Sequence, residues 1–286
     1  MAEPPTPQSV NADGFDVIII GAGIAGLYQL HQIRQLGLSV HAFEAGSGVG
    51  GTWYWNRYPG ARFDSESFSY GYSFSNEILD EWEWTEHFSP QPETLKYLEF
   101  VADKLDLKRD ITFNTRIVSA TYNPTRNRWS VKTEHGQSVE VHYLITAVGV
   151  LSASYIPEIP GADSFEGRSW HTSHWPKEPV DLSDQRVGVI GTGATAVQLI
   201  TEISKNIGQL SVFQRTANYC VPLNNRPVTP GEQADMKARY QEIFARCRET
   251  FGAFIHDFDT RSVFDVSDEE RETIFETLWS EPGFGF

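Results

Sequence analysis

Residues 15–26 read FDVIIIGAGIAG, an apolar run that ends in Gly21, Gly23 and Gly26. The run is too short and too evenly apolar for a surface helix, so it predicts a strand covered on both faces. The glycines follow without a break. In such a strand–turn–helix unit the first glycine makes the tight turn. The second lets the backbone approach a pyrophosphate, and the third lets helix and strand pack closely. Residues 27–36 return to helical spacing, and Gly37 closes that helix. SVHAFEA (residues 39–45) then predicts a second strand, with Glu44 at its end placed to accept hydrogen bonds from ribose hydroxyls. Gly21, Gly23, Ala25, Gly26 and Glu44 are thus expected to hold a dinucleotide.

The pattern returns later in the chain. RVGVIG (residues 186–191) leads into Gly191-Thr192-Gly193-Ala194-Thr195-Ala196, a predicted helix to about Lys205, and the strand LSVFQR (residues 210–215). The third small residue is alanine, an allowed variant. The strand-end residue differs more: Arg215 stands where the first unit has an acid. A guanidinium there favours a 2′-phosphate, hence NADPH over NADH, and Thr216 adds a hydroxyl. Two unlike dinucleotide turns in one chain imply hydride transfer from a nicotinamide to a flavin. The turns lie too far apart for a short structural repeat.

Composition sets the outer bounds. The 286 residues carry 23 basic and 38 acidic side chains, a net charge of −15, with no local basic stripe for a nucleic acid. A length near 300 suggests about two domains. The expected class is α/β: two Rossmann-like dinucleotide-binding domains, for FAD and NADPH, with the start of a helical subdomain. The expected boundaries are a flexible tail at 1–14, an FAD-binding part at 15–150, an NADP-binding part at 151–224 and the start of a helical insertion at 225–286. An amphipathic helix is expected over 92–107, and β-rich segments follow it to residue 149. Beyond Pro230 the chain reads as helical and charged to its last residue. Two cysteines without CxxC spacing exclude a dithiol redox site and a disulfide framework. His171 and His174 have no evident third partner for a metal, so no metal is expected. No stretch reads as a membrane span or targeting peptide, and the expected setting is cytoplasmic.

The segment Phe165-Glu166-Gly167-Arg168-Ser169-Trp170-His171-Thr172-Ser173-His174-Trp175-Pro176 fits F-x-G-x-x-x-H-x-x-x-W-P at every defined position. It resembles the fingerprint of the Baeyer–Villiger monooxygenases, flavoenzymes that insert oxygen beside a ketone carbonyl. GGTWYWNRYPGARFD (residues 50–64) is similar to a second segment of that family, the one that crosses the flavin ring, and FQRT (residues 213–216) is a third match. The resemblance implies FAD contacts from the first glycine turn, Glu44, Thr52, Trp53, Tyr54, Trp55, Asp64 and Tyr70, with Ile117 near the adenine. For NADPH it implies Arg62, the turn from Gly191 through Ala194 and Thr195 to Gln198, and Arg215 with Thr216. Phe165, Gly167, His171, Trp175 and Pro176 would form the interdomain fingerprint, with His171 helping to coordinate domain movement.

The resemblance also assigns Asp64 the catalytic part of orienting an arginine beside the flavin. That arginine has no match in these 286 residues, so the chain reads as the N-terminal half of such an enzyme. A complementary C-terminal half is then its expected partner, alongside a small ketone and O2. The helices after Pro230 would lack partners and expose Ile274, Phe275, Leu278 and Trp279. Two other functions compete. One is heteroatom oxygenation by a related flavin monooxygenase, against which Trp175-Pro176 speaks. The other is a nonenzymatic nucleotide-binding fragment acting through a partner chain.

Overall fold

The computed structural model describes residues 14–256 and 260–283. The tail expected at 1–14 lies outside the described residues, apart from Gly14. In chain order the elements are β1 (Val17–Ile20), α1 (Ile24–Gln35), β2 (Val40–Phe43), α2 (Thr52–Trp55), α3 (Ser67–Tyr70), α4 (Asn76–Glu81) and α5 (Gln91–Lys104). They continue with β3 (Ile111–Thr112), β4 (Ile117–Asn123), β5 (Arg128–Thr133), β6 (Ser138–Val141), β7 (Tyr143–Thr146), β8 (Arg186–Ile190), α6 (Ala194–Ile203), β9 (Gln209–Phe213), α7 (Pro230–Glu249) and α8 (Asp268–Ser280). Contacts divide the chain into two units that interleave in sequence. One comprises residues 1–57 and 94–177, the other 58–93 and 178–286.

In the first unit β3-β2-β1-β7 form a parallel sheet. Val17, Ile18 and Ile19 are buried, as expected for a strand covered on both faces. α1 crosses over the β1–β2 pair and buries Gly26, Leu27 and Leu30. Its end is a Schellman motif. The Gly37 N–H donates to the Arg34 carbonyl, the Leu38 N–H donates to that of Ile33, and Gly37 takes φ +75°. A separate antiparallel meander, β4-β5-β6, packs Val131, Val139 and Val141 against Ile18 and Phe43 of the parallel sheet. Each such side chain removed from water contributes roughly 1.5–3 kcal/mol. That cluster fixes where the glycine turn after β1 must lie.

The second unit carries the parallel pair β8–β9, with Val187 opposite Leu210 and Val189 opposite Val212. α6 connects the two strands and buries Leu199 and Ile203. Residues after Pro230 depart from continuous helix. α7 starts at a capping box, in which Thr229 and Glu232 satisfy each other's backbone N–H groups, and it stops at Glu249. Gly252 and the left-handed Ala253 (φ +57°) follow, a backbone that helix geometry does not admit. α7 does find partners: Tyr240 and Phe244 pack with Leu79 of α4. α8 buries none of its residues, but of the exposed face expected there only Phe275 and Trp279 are exposed, Ile274 and Leu278 being half-buried. No helix among the described residues is long and apolar enough to cross a membrane.

The tightest constraint lies at Gly26. A Cβ there would sit 2.0 Å from the Gly21 carbonyl oxygen. Gly26→Ala therefore forces β1 and α1 apart. It should lower stability by about 1–3 kcal/mol or more, read as an earlier urea midpoint. An unchanged midpoint would contradict the crossing described here.

Candidate functional site

The first glycine turn is held by an acid. The Glu44 carboxylate is buried; Oε2 accepts from the Ala22 N–H and Oε1 from the Gly46 N–H, each at 2.7 Å. Each oxygen keeps a further lone pair, so these bonds fix the carboxylate without exhausting it. Gly23 caps α1 with no side-chain hydrogen bond, leaving the helix start to a ligand. Gly51 faces Gly23 across this turn: a Cβ on Gly51 would lie 2.8 Å from the Gly23 Cα. The resulting cradle has no side chain on either wall. Ala25 is exposed on the first turn of α1.

α2 carries the expected flavin segment in the same unit. Trp53 is buried, while Thr52 and Trp55 are exposed. Tyr54 lies over the backbone at Gly46 and Gly48, where an added Cβ would meet its ring at 2.7 and 3.3 Å. Its hydroxyl accepts from the Ser47 N–H at 3.1 Å and from Lys177 Nζ at 3.2 Å. The Arg57 guanidinium lies 5.2 Å from the ring centroid. Burial pushes the phenol up, but the Ser47 bonds and the Lys177 ammonium together hold it below its ordinary value. Ile117 opens β4 and packs against the meander core.

The linker fingerprint also lies in this unit. His171 caps a short turn: its Nδ1 accepts from the Ser173 N–H and lies 2.6 Å from the Ser173 hydroxyl. Phe165 folds over Gly167, where a Cβ would meet the ring at 2.5 Å. Trp175 and Pro176 are half-buried, with the Trp175 ring 5.7 Å from that of Trp170. Lys177, next in sequence, makes the contact to Tyr54 described above.

The second unit holds the other glycine turn. A Cβ on Gly191 or Gly193 would meet nothing within 4 Å, and Gly193 caps α6 without a side-chain bond. This turn is an open cradle backed by the segment after β9. Asn218 Nδ2 donates to the Thr192 carbonyl at 2.8 Å and Thr192 Oγ1 donates to the Thr216 carbonyl at 3.4 Å. Ala194 is exposed, Thr195 and Ala196 are half-buried, and Arg215 and Thr216 are exposed beside the brace. Both turns therefore fit a dinucleotide, by bare backbone at the approach and by uncapped helix starts.

Arg62, Asp64 and Tyr70 belong to this second unit as well. Arg62 Nη1 donates to Glu86 Oε2 at 3.0 Å and to the Phe88 carbonyl at 3.1 Å. Asp64 Oδ1 accepts from Gln198 Nε2 at 2.9 Å. Burial holds the Asp64 carboxyl above its ordinary value, against the Gln198 bond and the Arg62 charge that pull it down. Tyr70 stacks on Phe63 with centroids 4.2 Å apart. The residues assigned to FAD thus divide between the units, while all those assigned to NADPH share one. A groove of about 720 Å³ beside α7, lined by Phe68, His87, Met236 and Ile243 among others, contains none of them. It is open surface without the glycine cradles, so the turns carry the site. Sequence reading missed the Glu44 bonds, the Gly23–Gly51 approach and the Gln198 bonds. Only the Gly50-Gly51 pair left a signal for any of these.

Residues 15–250 match the model of the flavin-binding monooxygenase-like family. The chain is 44% identical over 277 residues to a Baeyer–Villiger monooxygenase of Pseudooceanicola batsensis, covering 96% of this chain and 50% of that protein. It is 46% identical over 273 residues to a phenazine N-monooxygenase of Lysobacter antibioticus, covering 95% and 50%. Among solved structures it is similar to OTEMO in complex with FAD and NADP, at TM-score 0.89 and 44% identity, covering 98% of this chain and 52% of that one. The chain spans about half the length of the relatives it matches.

The raised Asp64 carboxyl has a consequence for stability. A folded-state value above the unfolded one gives stability that is present at low pH and lost as pH rises through the folded value. Asp64→Asn keeps the acceptor for Gln198 and removes the charge. Its urea midpoint should exceed the wild-type midpoint at pH 7, with the gap closing below pH of about 3.9. A gap that is constant with pH, or reversed, would contradict the burial seen at this carboxyl.

Proposed function

The chain belongs to the flavin-binding monooxygenase-like family, and from that premise we propose that it supplies the FAD and NADPH sites of a Baeyer–Villiger monooxygenase. Such an enzyme converts a ketone to an ester or lactone with O2. The observation that carries this reading is the pairing of two bare glycine cradles with the complete F-x-G-x-x-x-H-x-x-x-W-P segment between them. The similarity to a Baeyer–Villiger monooxygenase at 44% identity supports it.

In this reading the first cradle holds the FAD pyrophosphate. The uncapped start of α1 supplies the N–H groups, and the spare lone pairs of Glu44 take the ribose hydroxyls. Thr52, Trp53, Tyr54, Trp55, Asp64, Tyr70 and Ile117 complete the FAD contacts. Bound flavin supplies the redox and oxygen chemistry. The second cradle holds the NADPH pyrophosphate at the start of α6, and the exposed Arg215 takes the 2′-phosphate. Arg62, already tied to Glu86, meets the nucleotide with a fixed guanidinium. Asp64 orients a cation at the reacting centre, as a carboxylate kept from water by partial burial can do. His171 holds the linker turn through Ser173. A complementary C-terminal half, a small ketone and O2 are the remaining partners. A cytoplasmic setting agrees with two cysteines that are both free.

One observation favours a second reading. The phenazine N-monooxygenase, which its name assigns to nitrogen rather than ketone oxygenation, is 46% identical to this chain. Product analysis of the polypeptide carrying this sequence separates the two. With NADPH and O2, cyclic ketones should yield lactones, and formation of N-oxides alone would move the assignment to heteroatom oxygenation.

Cofactor choice can be tested on the chain itself. Arg215→Ala should weaken NADP+ binding about 10–100-fold and leave NAD+ within about threefold, since only NADP+ offers a phosphate to the guanidinium. Equal loss for both nucleotides in calorimetric titrations would defeat the assignment. Gly23→Val would place side-chain atoms in the first cradle and should abolish FAD binding. Purified mutant retaining stoichiometric yellow cofactor would contradict the site.

A further inference from the structure

Gln198 lies in α6, five residues beyond the glycine that caps it, and its carboxamide is spent within the protein. Oε1 accepts from the Tyr58 hydroxyl at 2.9 Å and from the Arg62 N–H at 3.3 Å. Nε2 donates to the Arg62 carbonyl at 2.9 Å and to Asp64 Oδ1 at 2.9 Å. A primary amide has two donor hydrogens and one oxygen with two lone pairs, so every bond it can form is made. Two of the four bonds pair it with the main chain of a single residue, Arg62, as a neighbouring strand would.

The helix and this loop also meet through their backbones. Gly60, at φ +82°, comes so close to α6 that a Cβ would lie 2.5 Å from the Gln198 carbonyl oxygen. The loop from Tyr58 to Asp64 is therefore seated on α6 by a backbone contact, by the Gln198 amide and by a hydrogen bond between Tyr58 and Thr195, of which only the amide reaches Asp64. At its far end α6 presents the second glycine turn. A rigid helix with a ligand site at one end and a carboxylate tied to its flank is a contiguous route for coupling the two.

We propose that Gln198 is a positioning residue that ties Asp64 to the helix of the second glycine turn, so that dinucleotide binding at the turn is transmitted to the Asp64 carboxylate. This rests on the reading of that turn as an NADP site. It gives Gln198 a part other than the nucleotide contact that resemblance suggested, because the side chain has no hydrogen bond left to offer. The groups facing the carboxylate are the Gln198 amide, the Arg62 guanidinium and the Tyr58 hydroxyl. Of these, only Gln198 belongs to the helix that carries the turn.

The test labels aspartate carboxyls with 13C in the full chain and assigns Asp64 by the signal missing from Asp64→Asn. Two variants are compared with wild type. Gln198→Leu removes the amide, and Gln198→Glu keeps the shape and the acceptor but removes both donors. Without ligand, the Asp64 titration should move to higher pH in both, further in Gln198→Glu, where a second carboxylate faces the first. Titration unchanged in both variants, with circular dichroism showing native helix content, would overturn the tie. With saturating NADP+, the Asp64 signal should shift in wild type. In Gln198→Leu that shift should vanish while the NADP+ dissociation constant stays within about threefold. A shift that persists, or an affinity loss of tenfold or more, would overturn the proposal, the latter by making Gln198 a nucleotide contact. Failure of wild type to bind NADP+ at all would instead overturn the reading of the turn. The ligand-free titration would still decide whether the tie exists.

Discussion

Backbone touches backbone wherever a glycine turn or the helix behind it meets a neighbouring segment, and three of these contacts frame the two turns. α1 meets the end of β1 at Gly26 and Gly21, the loop before α2 meets the first turn at Gly51 and Gly23, and the Tyr58–Asp64 loop meets α6 at Gly60. In each case an added Cβ would fall within 3 Å of main-chain atoms, closer than van der Waals contact permits. The first approach lets a parallel strand and its crossover helix pack with nothing between them. The second leaves a wall without side chains on both sides of a helix start. The third seats the half-buried Asp64 carboxylate against the helix of the other glycine turn. Chain segments that carry no side chain at the crossing thus leave bare backbone at the starts of both helices.

The hydrophobic clusters hold those approaches in register. Ile18 and Phe43 from the parallel sheet share a cluster with three valines of the antiparallel meander, so the meander sets the level at which β1 ends. Glu44 adds a polar clamp at that level, one carboxylate oxygen engaged by the Ala22 N–H of the glycine turn and the other by the Gly46 N–H just after it. A carboxylate buried to 5% exposure is tolerated only with such partners. In the second unit, the work of bracing falls to Asn218 and Thr192, since Arg215 at the corresponding strand end stays in solvent. The two turns share a backbone plan and differ in how the following strand supports them.

Much of this was legible in the sequence because strand, glycine spacing and strand-end residue are local features. Val17–Ile20 with its three glycines, and Arg186–Ile190 with Gly191 and Gly193, both form the expected strand–turn–helix units. The interleaving of residues 58–93 with the later half of the chain was not legible, since no periodicity marks a long-range return. Beyond Pro230 the helical reading holds for α7 and α8, but the break between them, with the left-handed Ala253, left no signal between charged segments of similar composition. Gln198 was counted with the turn it follows. Its four bonds reach residues far away in sequence, and an amide's partners cannot be read from spacing. The site was thus visible as two turns and a fingerprint, but its internal ties were not.

The central claim is that one chain carries two separate dinucleotide cradles, and binding stoichiometry tests it most directly. Equilibrium dialysis of the chain with FAD and NADP+ together should find one of each bound per chain, with neither displacing the other across a hundredfold range of concentration. Mutual displacement, or a total of one nucleotide per chain, would contradict the account.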